Sequence, residues 1–247
     1  MAARKFIASF LLILLPYYDF ATCIVIFIKG NTIYAAADTL ESLFKSDVRI
    51  GFKHIRKIHL KNDVYFAISG HQDSVLRVTA ESVIKPGESP ESFTATFADR
   101  MRVFYNKEML LLKVAAPKRY KSILVTSLGD VSFFGFRKGT PFVLSVSFKL
   151  TETNGNPEAV PTIQDQSRPS ASPLGPNVVL GFWDHIVANR PKIYSECFAK
   201  AKNNYSDYVA LLVKIEVDNH PDTVGCPIDK LILKPNSKPL WSKYYCH

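Results

Sequence analysis

No uncharged apolar run in this 247-residue chain approaches the roughly 20 residues that a membrane-spanning helix requires. Phe6 to Leu15 is about half that length before Pro16 and Asp19 interrupt it, so no stable membrane span is expected. Walker-type and dinucleotide-type glycine motifs are absent, which removes the nucleotide-binding classes that rely on them, and no cofactor is expected. The four cysteines and six histidines show no paired ligand spacing, so the sequence indicates no metal site. Lys and Arg outnumber Asp and Glu, 31 to 22, for a formal net charge of +9. These cations are scattered, apart from small clusters such as Lys113 to Lys121, and form no basic stripe interleaved with aromatics. The charge therefore reads as solubility, and no nucleic-acid partner is expected.

What is present begins with the leader. Arg4 and Lys5 precede the apolar run, Pro16 stops it, and the small residue Ala21 stands before Thr22, which is the layout of a secretory signal peptide. Residues 1–21 read as a removed signal peptide or propeptide, and 22–247 as one domain with enough apolar content for a full core. The expected location is secreted, with an endomembrane or vacuolar lumen as the alternative. Cys226 and Cys246 suit a disulfide in such a compartment, Cys197 being able to replace either, while Cys23 reads as a small buried residue. Asn204-Tyr205-Ser206 is a glycosylation sequon for the same route.

The apolar period changes along the chain. Cys23 to Ile28 and Thr32 to Ala37 are β-rich runs split by Lys29-Gly30-Asn31, and Ile55 to Leu60 with Val64 to Ser69 form a second pair around Lys61-Asn62-Asp63. Helical spacing runs from Gln72 to Ile84, and again from Ser89 or Ser92 to about Lys113. In that second helix Phe93, Phe97, Met101, Phe104 and Tyr105 read as core. Strands are expected at 122–127, 131–136 and 142–148, and a long Pro-rich exposed loop at 151–177. A strand at 177–181, helices at 183–201 and 205–217, and a final strand at 228–233 complete the order. Such an order argues for an α+β sandwich of two antiparallel sheets with helices on both outer faces.

Four groups of residues now carry a resemblance. Thr22 opens the first strand, Ala36-Ala37-Asp38-Thr39 ends the second, Arg56-Lys57-Ile58 opens the third, and Ser69-Gly70-His71-Gln72-Asp73 precedes the first helix. Together with a fainter echo at Asp222 to Asp229, they resemble the proteasome β-type members of the N-terminal-nucleophile (Ntn) hydrolases. The resemblance implies a four-layer αββα sandwich and a threonine hydrolase that cleaves peptide or amide bonds. Carried over residue by residue, it implies Thr22 as nucleophile and amine base, Asp38 and Lys57 as the charged pair that tunes it, and Gly70 as an oxyanion donor.

The chemistry is coherent. A terminal α-amine has a pKa near 7.7–8.0, suited to taking a hydroxyl proton, and a neighbouring Lys57 cation would favour its free base. Each residue also has an ordinary role: Thr22 as a β-former, Asp38 as a turn residue and Lys57 as a solvated edge charge. His71 reads equally as a site-lining residue or a surface loop residue, and His220 has no identifiable partner in the sequence.

The chain also departs from the family pattern. Active members carry Ser-Gly where this chain reads Gly181-Phe182-Trp183, and a second Ser-Gly near Val224-Gly225, for which Asp222 and Thr223 are approximate supporting residues. Ala21 stands where self-processing members carry Gly. The expected partner is a peptide or small amide substrate, with a homo-oligomer as a possible assembly. The alternative is a catalytically inactive secreted binding protein on the same scaffold, suggested by Phe182 and the 151–177 loop. Cleavage one residue later would make Cys23 the terminal nucleophile, against which stands its projection to the opposite face of the strand from Thr22.

Overall fold

The computed structural model describes residues 22–45, 48–70, 73–124, 127–168, 170, 172–181, 183, 185–186 and 190–246. The leader at 1–21, with Ala21, lies outside the described residues, as do His71 and Phe182. Strands β1 (Cys23–Lys29) and β2 (Thr32–Asp38) form the expected antiparallel hairpin, with Ile24 opposite Ala37 and Lys29 opposite Thr32. Six consecutive residues of β1 are buried because both faces are covered. Cys23, Val25 and Phe27 pack into a helix-facing cluster, whereas Ile24, Ile26 and Ile28 enter a cluster that spans the two sheets. A continuous apolar run, and not an alternating one, is what a strand covered on both sides requires.

The remaining described elements are β3 (Leu40–Lys45), β4 (Val48–His54), β5 (Ile58–Lys61), β6 (Val64–Gly70), α1 (Asp73–Val83), α2 (Pro90–Ala115) and α3 (Pro117–Ile123). After these come β7 (Ser127–Arg137), β8 (Thr140–Thr153), β9 (Asn156–Asp165), β10 (Val178–Gly181), α4 (Arg190–Lys200), α5 (Tyr205–Asn219), β11 (Ile228–Leu233) and β12 (Leu240–Tyr244). The chain is thus α+β, with two antiparallel five-stranded sheets ordered β10-β1-β2-β11-β12 and β5-β6-β7-β8-β9, and five helices among the described residues. Strands β3 and β4 pair apart from both.

Three apolar clusters hold the elements together. Helices α1, α2 and α3 pack on one face of the β5–β9 sheet, helices α4 and α5 pack on the β1–β2 sheet, and the third cluster joins the sheets. This packing is compatible with a sandwich. In α2, the Ser89 hydroxyl caps the first turn by accepting the Ser92 N–H, and Pro90 fits a position where no N–H bond is needed. Its Phe93 and Phe97 each lie 5.3 Å from the Phe133 ring, so the aromatic stripe is core. Truncating one such ring, as in Phe97→Ala, should cost about 3–5 kcal/mol.

Several expectations need correction. Only the second half of the 151–177 segment is irregular: β8 and β9 pair from Leu144↔Asp165 to Thr153↔Asn156, and the described residues after Asp165 form no strand or helix until β10. Strand β9 lies at the sheet edge with mostly exposed side chains, so its composition is polar and it accommodates Pro157 and Pro161. Its turn, Asn154-Gly155, takes φ of 52° and 76°, the conformation for which Asn-Gly is suited. Of the strand expected at 122–127, Ser122 and Ile123 belong instead to α3, because Pro117 starts a helix whose Tyr120 and Ile123 are buried beside α2; Ser127 opens β7, and 125–126 lie outside the described residues. Of the helix expected at 183–201, His185 and Ile186 have helical backbone and α4 runs from Arg190 to Lys200, while 184 and 187–189 lie outside the described residues. Ile228–Leu233 is not the last strand, since β12 pairs with it. The third expected strand is shortened to Ile58–Lys61, which leaves Lys57 just ahead of it. Among the described residues no helix is long and apolar enough to cross a membrane.

Candidate active site

Asp38 ends β2 and is fully buried. Four groups converge on its carboxylate. Lys57 Nζ donates to Oδ1 at 2.9 Å and Oδ2 at 2.8 Å, the Cys23 N–H donates to Oδ1 at 2.8 Å, and the N–H groups of Leu40 and Gly225 reach Oδ2 at 3.2 and 3.3 Å. Burial pushes the Asp38 carboxyl up, while the Lys57 ammonium and the amides of Cys23 and Gly225 pull it back down. A buried carboxylate needs such partners, because an unpaired charge cannot be held away from water cheaply. The strand's own geometry aims it: Asp38 lies opposite Ile228, and Thr39 ties the strand end to the 225–227 turn by donating its hydroxyl to the Pro227 carbonyl at 2.8 Å.

Thr22 immediately precedes β1 and is 2% exposed. Its neighbour Cys23 lies opposite Gly181 of β10. Gly181 adopts φ of +82°, and a Cβ there would overlap the Thr22 carbonyl oxygen and stand 3.0 Å from Ser69 Oγ. The backbone of Thr22, Gly181 and the buried Ser69 hydroxyl therefore meet at the end of the first sheet where Asp38 lies. Gly70 follows Ser69 as the last residue of β6, with φ of +126°; a Cβ there would overlap Gly129 Cα. The first sheet thus sets Thr22 next to the amide bound by Asp38, and β6 brings Ser69 and Gly70 to the same end. Ser69 is a member of this group to which the sequence reading assigned no role.

The supporting residues fall differently. Asp222 is exposed, and the Thr223 hydroxyl donates to the His220 carbonyl at 3.2 Å within its own turn. In this segment the direct contact with Asp38 is made by the Gly225 amide, a backbone group that residue identity does not announce. Cys23 buries its thiol in the helix-facing cluster, and burial, with the Asp38 and Glu216 charges, pushes that thiol well up. A protonated, fully buried thiol is inert.

A disulfide joins Cys226 and Cys246, their Cα atoms 6.1 Å apart, while Cys23 and Cys197 are free and buried. Such a bond persists in oxidising compartments. Asn204 caps α5 through its side-chain oxygen, which accepts the N–H groups of Ser206 and Asp207. On the helix side of the first sheet, His185, Glu216 and His220 bring potential metal-ligand atoms within 4.8 Å of one another. The sequence reads as holding no metal site and no partner for His220; the one signal available is the four-residue spacing of Glu216 and His220. No protein-family model and no curated protein matches this chain.

Proposed function

We propose that this chain is a threonine-type hydrolase of the Ntn class, with the αββα architecture of proteasome β-type subunits, acting on peptide or small amide substrates. The observation that carries the reading is the buried Lys57–Asp38 pair bound to the amide of Cys23, the residue that follows Thr22. A cation held this close to the start of β1 favours the neutral form of an α-amine at Thr22. Removal of the leader frees that amine. It then takes the proton from the Thr22 hydroxyl as Oγ attacks the substrate carbonyl carbon. The C–N bond breaks, the proton passes to the departing amine, and water hydrolyses the resulting ester to restore the hydroxyl. Gly70 is the proposed source of an N–H for the developing oxyanion. An exported location accords with the Cys226–Cys246 disulfide.

The test joins intact-mass measurement of the ripened protein to labelling with an electrophile that captures a hydroxyl and an adjacent primary amine together. The expected result is a chain that starts at Thr22 and is labelled, and a folded Thr22→Ala variant that is not. Equal labelling of the variant, or a ripened chain still joined through its 21–22 bond, overturns the assignment. The non-catalytic reading rested in part on a loop at 151–177, of which residues 151–165 belong instead to the β8–β9 hairpin.

A further inference from the structure

We infer that His185, Glu216 and His220 form a binding site for a divalent transition metal of the zinc type, located behind β1 on its helix-facing side. Glu216 and His220 occupy the C-terminal turn of α5 and its cap, and His185 comes from the segment that follows β10. The three potential ligand atoms lie within 4.8 Å of one another, and the two imidazole rings are 5.2 Å apart.

Glu216 carries the strongest sign. It is completely buried, and among the described residues its Oε2 has no hydrogen-bond partner, although the opposite oxygen, Oε1, accepts the Ile186 N–H at 2.9 Å. A carboxylate oxygen left so in the interior is costly unless a cation faces it. His220 Nε2 stands 3.6 Å away. That separation exceeds the 2.7–2.9 Å or so of a charge-assisted hydrogen bond. It agrees with the edge of a tetrahedral ligand set, roughly 3.4 Å when metal–ligand bonds are about 2.0–2.1 Å. His185, the third member, is exposed, and its potential ligand atom lies within 4.8 Å of the other two.

Two imidazoles and one carboxylate are a donor set that suits zinc, leaving a fourth position to water. The Ile186 amide supplies the outer-shell contact that orients the ligating carboxylate, and it comes from the residue next to His185. One short segment thus provides both a ligand and the donor that aims another ligand. A bound cation would fasten this segment to α5, four residues beyond Gly181, which itself fits against the Thr22 carbonyl. The site stands on its own geometry and does not depend on the hydrolase reading.

The experiment uses tag-free full chain, stripped with a chelator and titrated with Co²⁺ as a spectroscopic probe, then with Zn²⁺ in competition. One equivalent should bind, with the intense visible absorption of low-coordinate Co²⁺, and Zn²⁺ should abolish the bands. His185→Ala and His220→Ala should each weaken binding about 10-fold or more, and Glu216→Gln should do the same in a side chain of equal size. The histidine variants keep the test decisive if the buried Gln variant fails to fold. Absence of binding by the wild type, or binding unchanged in the His185→Ala/His220→Ala double variant, overturns the site.

Discussion

Lys57 divides its ammonium between the two carboxylate oxygens of Asp38, at 2.9 and 2.8 Å, with 4% and 0% of the side chains exposed. Removing one partner of a buried pair leaves the other charge without compensation. Lys57→Met should therefore destabilise the fold by about 3–5 kcal/mol in denaturant unfolding. The Asp38→Asn/Lys57→Met double variant should recover much of that loss. A single variant as stable as wild type would show that the pair is open to solvent.

The close fit of Gly181 against Thr22 can be separated from its positive φ. Gly181→Ala and Gly87→Ala both place a side chain at φ near +80°, but a Cβ at Gly87 meets nothing within 4 Å whereas one at Gly181 overlaps the Thr22 carbonyl. Gly87→Ala should cost about 1 kcal/mol from backbone strain alone. Gly181→Ala should cost at least about 2 kcal/mol more, because two backbones must part. Thermal unfolding of the pair checks this, and equal losses would remove the close approach.

Asp130 gives stability a dependence on pH. Burial pushes its carboxyl up to about 6, against the Ser127 hydroxyl bond and the Lys149 charge, which pull it down. Since the folded value is raised above the unfolded one near 3.9, the stabilising protonated form is fully present below about pH 4 and is lost as pH rises through about 6. Asp130→Asn should be more stable than wild type at pH 7 by about 1–3 kcal/mol, discounted for partial exposure. The advantage should vanish near pH 4. Parallel urea titrations at the two pH values measure it; a constant difference between wild type and variant would contradict the assigned cause.

The Cys226–Cys246 disulfide closes a 20-residue span that includes β11 and β12. Cys226→Ser should lower stability by about 3 kcal/mol through the freed unfolded chain. Because β12 is the edge strand of its sheet, its amides should lose hydrogen-exchange protection before those of β1. Uniform loss across the sheet would show that the bond fastens the whole layer.

How much of this was legible depended on where each signal resides. The double-faced burial of β1 was legible in Cys23 to Ile28, and the β5–β6 turn in Asn62-Asp63, because side-chain type determines both. Asp38 and Lys57 could be paired only through resemblance, since the hairpin between them obscures their proximity. Strand β9 was missed because edge position makes its residues polar, although Asn154-Gly155 marked the turn. The Gly225 amide was invisible, as every residue but proline carries one. His185 was unpaired in sequence because β10 and α5 meet only through the fold.

The β3–β4 hairpin leaves and re-enters the domain at nearly one point. The Ile55 N–H donates to the Thr39 carbonyl at 2.8 Å, and Leu40 pairs with His54. The chain between Asp38 and Lys57 is thus a detour with its gate already shut. An engineered insert in that detour should therefore leave the ammonium on the carboxylate, since the Ile55–Thr39 bond already holds its two ends together.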